Sequence, residues 1–274
     1  AGDSRARGFL LGATAGRTTL SGEGLQHEDG SSHLLFSTVP NCVAYDPTYG
    51  YEVVTIIQDG TRRMLEKQDD VFYYVTVMNE NYSHPSMPDG ANEGIIKGMY
   101  CLQKGEKSSG PRVQLLGSGT ILRETLAAAD LLQIDWNVYA DVWSVTSFTE
   151  LRRDGLSVDR QNTYNPGLTE KSTWVEQCLK STVGPIIAAT DYMRAVPDMI
   201  RTWAPRRYVT LGTDGYGRSD TRKSLRDFYE VDRFHITLAA LKSLVADGSI
   251  KKSVLGQAIK KYGLKGDRPN PWDI

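Results

Sequence analysis

The chain has 274 residues, 40% hydrophobic and 24% charged, which suffices for one large core or two modest ones. Its 32 basic and 33 acidic residues are interspersed and leave a formal charge of −1, which argues against the one-sided basic face that nucleic acid requires. Cys42, Cys101 and Cys178 are too widely spaced for a disulfide framework or a paired metal site, no apolar run approaches the roughly 20 residues that span a bilayer, and no leader pattern is visible, so a reducing cytoplasm and no membrane are expected.

In chain order, Gly8 to Gly12 reads as a buried strand. A domain rarely begins on such a strand, and the chain has no initiator Met, so upstream sequence is expected. Residues 41 to 46 form a short strand, and Asp46-Pro47 supplies an N-cap with Pro at the first helical position. The following helix aligns Tyr49, Val53, Ile56, Ile57, Gly60 and Met64 on one face. Val71 to Met78 is β-branched and aromatic, hence a strand. Residues 85–110 are rich in Pro, Gly, Lys and Ser and read as a linker between a first unit (1–84) and a second (111–274).

Beyond the linker, strands are expected at Arg112 to Leu116, Asp141 to Phe148, Gly184 to Ala189 and Tyr208 to Gly212. Helices are expected at Ile121 to Leu132, Met193 to Trp203, Thr221 to Glu230, Phe234 to Ala246 and Ile250 to Tyr262. No repeat or low-complexity tract interrupts this alternation. It calls for an α/β chain of three layers, α/β/α, with mostly parallel sheets.

Chemistry concentrates in Gly22-Glu23-Gly24-Leu25-Gln26-His27-Glu28-Asp29-Gly30-Ser31-Ser32-His33, where glycines punctuate two histidines and three carboxylates. Glycine lets backbone approach a ligand closely, and imidazole passes protons near neutral pH. Glu23, four residues before His27, is placed to orient it if the loop folds back. Two blander readings stay open at this point: His27 and His33 capping strands or holding water, or a metal site built on a weak His-x5-His pattern.

This loop, with Val39-Pro40-Asn41 and Tyr45-Asp46-Pro47, resembles the pyrimidine-binding domain of homodimeric, thiamine-diphosphate-dependent pyruvate dehydrogenases. Glu28-Asp29-Gly30 and His33 are more distantly similar to the corresponding transketolase loop. The resemblance continues through Asn79 to Tyr82, Met87 to Gly90, Gln114 to Gly119, Ser144 to Leu151 and Leu211 to Asp220, covering nearly the whole chain.

The resemblance implies decarboxylation of pyruvate with thiamine diphosphate and Mg²⁺, then transfer of the acetyl unit to the lipoyl domain of a dihydrolipoyl acetyltransferase in a multienzyme complex. It implies a homodimer whose cofactor lies between subunits. His27 and Glu23 become the catalytic candidates, and Gln26 and His33 candidates for the substrate pocket. The family holds the diphosphate and Mg²⁺ with a Gly-Asp-Gly motif and a later Asn; no Gly-Asp-Gly occurs here, so no metal ligand is expected in this chain and the chain alone is expected to be inactive. The glutamate that activates the cofactor's aminopyrimidine is likewise expected upstream. Asn79-Glu80-Asn81 is read as a strand-end turn, and Asp214-Gly-Tyr-Gly-Arg218-Ser-Asp220 as a structural loop in which Arg218 pairs with Asp214 or Asp220. Ketol transfer between sugar phosphates and a non-catalytic assembly module are the rival readings.

Overall fold

The computed structural model describes residues 1–13, 15–106 and 109–274. The chain begins with β1 (Phe9–Gly12), α1 (Ser32–Ser37), β2 (Cys42–Tyr45), α2 (Gly50–Thr61) and β3 (Phe72–Thr76). The three strands are parallel in the order β1-β3-β2. Every residue of β2 and β3 is buried, because alternate side chains face different helices. Val43, Tyr45, Tyr73 and Val75 pack with Ile56 of α2, while Cys42, Ala44, Phe72 and Tyr74 meet Phe36 of α1. A strand covered on both faces reads as one apolar run, as this one does.

The helix after β2 starts later than Asp46-Pro47 suggests. Its first residue is Gly50, and Glu52 Oε2 accepts the leading N–H groups of Thr48 at 2.6 Å and Tyr49 at 2.9 Å. Asp46 is engaged elsewhere, accepting the Thr76 hydroxyl at 2.7 Å. The buried face of α2 is also more polar than expected: Glu52, Thr55, Ile56, Asp59 and Gly60 are buried, whereas Val53 and Ile57 are only partly so.

The second sheet is built from β4 (Met99–Gln103), β5 (Arg112–Gly117), β6 (Tyr139–Val145), β7 (Ile186–Ala189) and β8 (Tyr208–Leu211), in the order β4-β6-β5-β7-β8, with only β4 antiparallel. Around it lie α3 (Ala91–Lys97), α4 (Ile121–Trp136), α5 (Phe148–Tyr164), α6 (Trp174–Leu179), α7 (Ala195–Asp198), α8 (Arg222–Phe228), α9 (Arg233–Ala246) and α10 (Ser253–Tyr262). Val113, Leu115 and Ile187 pack under α4 and α9, while Leu116, Ile186 and Ala188 face α5, α6 and α7. This alternation gives the expected three layers, and the sheets are mostly parallel.

Three local expectations change. The strand expected to reach Phe148 stops at Val145, because Ser147 Oγ accepts the Glu150 N–H at 3.0 Å and starts α5. The helix expected over 193–203 is α7 plus a single 3₁₀ turn at Arg201–Trp203; after Asp198 the ladder tightens to i→i+3 bonds, from Met199 N to Val196 O at 3.2 Å and Ile200 N to Pro197 O at 3.4 Å. The stretch 85–110 holds α3 and the edge strand β4, and its Lys107 and Ser108 lie outside the described residues.

Polar bonds join the two sheets where their strands end. Asp46 N donates to Thr146 O at 2.7 Å and Gly119 N to Asp46 O at 3.2 Å. Ser147 Oγ donates to Ala44 O at 2.6 Å, and Thr48 Oγ1 to Gly119 O at 2.6 Å. Glu52 Oε1 accepts Ser144 Oγ at 2.6 Å and Tyr100 Oη at 2.7 Å, so its buried carboxylate is fully satisfied. The carboxyl ends of parallel strands, where α/β sheets usually bind ligands, therefore converge on this seam.

Candidate functional site

The segment 15–33 runs from β1 over the seam into α1 and is held by the far end of the chain. Arg17 donates to Thr213 O, to Gly215 O at 2.7 Å and to Glu28 O at 3.5 Å. Gly22 N donates to Asp220 O at 3.1 Å, and Met193 N to Gly30 O at 2.9 Å. At Gly217 a Cβ would come within 2.4 Å of Leu25 O and 2.6 Å of Glu28 Cβ, so the 213–220 loop needs glycine to approach the histidine loop this closely. The two glycine-rich motifs thus form one structural unit.

Leu25–His27 forms a single 3₁₀ turn that presents its polar side chains outward. Glu23, Gln26 and His27 are all exposed, and His27 Nδ1 lies 3.5 Å from Glu23 Oε2. The expected pairing of Glu23 with His27 is present. Nδ1 is thus the ring nitrogen that faces the carboxylate, and Nε2 the one turned away from it.

His33 has a different setting. It lies inside α1 rather than in the loop, because Asp29 Oδ1 caps that helix by accepting Ser31 N at 3.1 Å and Ser32 N at 3.0 Å. The ring is buried, 4.6 Å edge-on from Tyr192, with Nε2 3.2 Å from Thr76 Oγ1. Desolvation pulls its pKa down to about 4, opposed by the Asp29 charge, so the imidazole is neutral near pH 7. Thr76 Oγ1 also donates to Asp46 Oδ1, and burial pushes the Asp46 carboxyl up to about 7 against its bonds with Thr76 and Ser118. Among the described residues Asp46 Oδ2 and Tyr192 Oη have no hydrogen-bond partner, and both residues line a void of only about 10 Å³.

Glu28 lies in the motif the sequence marks out, but it is not among the candidate catalytic or pocket residues. Its carboxyl is buried, with no hydrogen-bond partner for either oxygen among the described residues, and desolvation, then the Asp191 charge, raise its pKa to about 8 against Arg17. The burial comes from Gly217, 189 positions away, so nothing local announces it. Asp191 itself is buried and accepts Thr18 Oγ1 and Thr19 Oγ1, each at 2.6 Å.

The expected ion pairs of Arg218 are absent among the described residues. Asp214 pairs instead with Arg194, 3.3 Å away, and Asp220 Oδ1 accepts the Thr221 N–H at 2.6 Å. The Arg218 guanidinium lies 5.3 Å from the Phe228 ring centre, and its Nε has no hydrogen-bond partner. A different residue of the supposed strand-end turn carries charge chemistry: Glu80 meets Arg123, Arg222 and Arg226. Asp227, Asp232 and His235 place ligand atoms within 4.8 Å of one another, but Arg268 pairs with Asp227, and Asp232 Oδ1 caps α9. No helix among the described residues is long and apolar enough to cross a membrane.

Residues 1–85 match the family model described as the pyruvate dehydrogenase E1 component middle domain, and residues 98–232 match the transketolase-like C-terminal domain. A pyruvate dehydrogenase E1 component from Pseudomonas aeruginosa is 60% identical over 274 residues, covering all of this chain and 31% of that relative. One from Cupriavidus necator is 58% identical over 275 residues with the same coverage, and one from Escherichia coli K12 is 51% identical over 273 residues, 99% of this chain and 30% of the relative. The chain thus spans about a third of the length of these relatives. Among solved structures, a transketolase from Pichia stipitis superposes with a TM-score of 0.61 at 15% identity, over 86% of this chain and 30% of that one, and a transketolase from Campylobacter jejuni gives 0.61 at 16%. Identity that low shows the shared fold alone. Two domain models in chain order, together with relatives matched along the full chain at 51 to 60% identity, place this chain in the pyruvate dehydrogenase E1 component family.

Proposed function

We propose that this chain is the part of a thiamine-diphosphate-dependent pyruvate dehydrogenase that supplies His27 to the reaction centre. The observation that carries the reading is the exposed His27–Glu23 pair on a loop clamped from both halves of the chain. A group that must reach a substrate outside its own fold has to be exposed yet held. His27 Nε2 is the atom that would give or take the proton, and Glu23 fixes the ring; Gln26 lines the approach. We place His33 behind the site and not in the substrate pocket, because it is buried and neutral.

The motif by which the family holds the cofactor's diphosphate and Mg²⁺ is not part of this sequence. No Gly-Asp-Gly occurs, and the one metal-suited triad among the described residues is already occupied by Arg268 and a helix cap. When bound, thiamine diphosphate supplies the carbanion chemistry that removes carbon dioxide from pyruvate; its anchors belong to the rest of the enzyme. A homodimer, the lipoyl domain of a dihydrolipoyl acetyltransferase as acceptor, and a cytoplasmic setting complete the proposal.

In the whole enzyme, His27→Ala should slow acetylation of a lipoyl domain by about 10²- to 10⁴-fold. Thiamine diphosphate affinity, read by tryptophan quenching, should stay within a few-fold. Near-normal acetylation by the variant would remove His27 from the mechanism.

A further inference from the structure

A second place where charge collects lies apart from the histidine loop. Arg123, Arg222 and Arg226 converge on Glu80, while Arg226 and Arg233 converge on Glu124. Four guanidiniums therefore share two carboxylates. Burial opposes ionisation of Glu80 and Glu124, yet the arginines hold both below the ordinary carboxylate range. The side chains of Arg226, Glu80 and Glu124 are 6, 11 and 8% exposed, so solvent screens this surplus poorly. Asp191 acts on Arg226 from beyond Thr18, outside the cavity wall.

Arg222, Arg226 and Arg233 line a cavity of about 640 Å³, together with Lys223, Phe234 and Tyr262. No residue from 15–33 takes part in that wall. Lys223 is exposed and makes no ion pair or hydrogen bond among the described residues. The acids in the wall are spent: Glu124 Oε2 accepts both the N–H and Nε of Arg233, Asp227 pairs with Arg268, and Asp232 caps α9. Phe234 and Tyr262 pack with ring centres 5.1 Å apart, and Tyr262 is fixed by Asp135 and Trp136. The volume falls in the range of small-ligand sites, and a concave wall with surplus guanidinium charge suits a compact multivalent anion.

We propose that this cavity binds a phosphorylated small molecule, with its anionic end on Arg222, Lys223 and Arg226 and its body against Phe234 and Tyr262. Arg222 Nε also donates to Thr19 O at 2.6 Å and Arg226 Nε to Thr18 Oγ1 at 3.3 Å. A ligand on these arginines would bear on the segment that leads to His27.

Calorimetric titration of the full 274-residue chain with inorganic pyrophosphate and with ADP tests the site. Saturable binding should weaken about tenfold in Lys223→Glu, the loss of roughly one charge-assisted bond. That exposed residue makes no bond folding depends on, so an unchanged melting temperature should accompany the loss. Tighter binding of ADP than of pyrophosphate, with the difference abolished by Phe234→Leu, supports a nucleotide whose ring uses the aromatic wall. Equal affinities support a phosphate ester read by its anionic end alone. No saturable heat from either ligand up to roughly 10 mM, or binding unaffected by Lys223→Glu, overturns the proposal.

Discussion

Asp46→Asn tests the seam between the sheets directly. Asp46 is 5% exposed, its Oδ1 accepts Thr76 Oγ1, and its Oδ2 has no hydrogen-bond partner among the described residues. Asp29 and Asp191 raise its pKa further, and His33, neutral across most of the range, sits on the other side of Thr76. The folded carboxyl titrates near 7 against 3.8 for the free group. Between those values the unfolded chain has lost its proton and the folded chain keeps it, so stability falls as pH rises and levels off above about 7. From pH 4.5 to 7.5 the penalty grows over about 2.5 units, or roughly 3 kcal/mol at 1.36 kcal/mol each. Asparagine keeps the oxygen that Thr76 needs and carries no charge. Urea denaturation of parent and variant should therefore show the variant gaining about 2–3 kcal/mol on the parent between pH 4.5 and 7.5. His33 titrates in both chains and largely cancels. A difference that stays constant across that interval would refute the reading of Asp46 as a buried, protonated acid.

Other perturbations give sharper local tests. Gly184→Ala should destabilise the chain by about 2–4 kcal/mol in thermal or urea unfolding, since φ is +82° and a Cβ would lie 1.7 Å from Arg112 O. Arg218→Ala should cost about 0.5–1 kcal/mol of stability through its lost contact with Phe228, and leave KM for pyruvate in the whole enzyme within a few-fold; a steep rise in KM at unchanged stability would make Arg218 a binding residue. Thr173→Ala removes the oxygen that accepts the Glu176 N–H at 3.2 Å at the start of α6, and should lower stability by about 1 kcal/mol, read by denaturant midpoint.

What the sequence made legible is what local patterns encode. The alternation of strand and helix gave the α/β class because buried parallel strands are continuous apolar runs, as in Val71 to Val75. The motif Glu23 to His27 could be picked out because exposed glycine-flanked polar residues have no packing role. What stayed hidden depends on partners far away in the chain. Glu28 looks like any loop acid until Gly217 closes over it, and Glu80 looks like turn punctuation until Arg222 and Arg226 arrive from 142 and more residues on. Asp46-Pro47 misled for a related reason: a good N-cap pair was diverted to Thr76, and Glu52 took over the capping. Arg218 misled because proximity in sequence to two aspartates is not proximity in space.

The buried carboxyls divide by how well they are partnered. Glu52 has four donors on its two oxygens, two from backbone and two from hydroxyls, so its burial ties α2 to the second sheet and leaves nothing over. Glu80 and Glu124 are over-neutralised by arginine and remain charged. Among the described residues Asp46, Glu28 and Glu150 keep unpartnered oxygens; Glu28 lies within segment 15–33, Asp46 meets its end through Thr76 and His33, and Glu150 lies on α5. A fold seeking stability alone would pair such groups or replace them with apolar ones, because an unsatisfied buried acid costs about 1–3 kcal/mol. Glu28 shares its loop with the exposed His27–Glu23 pair, while Glu150 on α5 is held only by the Arg153 ion pair, so the poorly satisfied acids among the described residues are divided between that loop, the seam and α5.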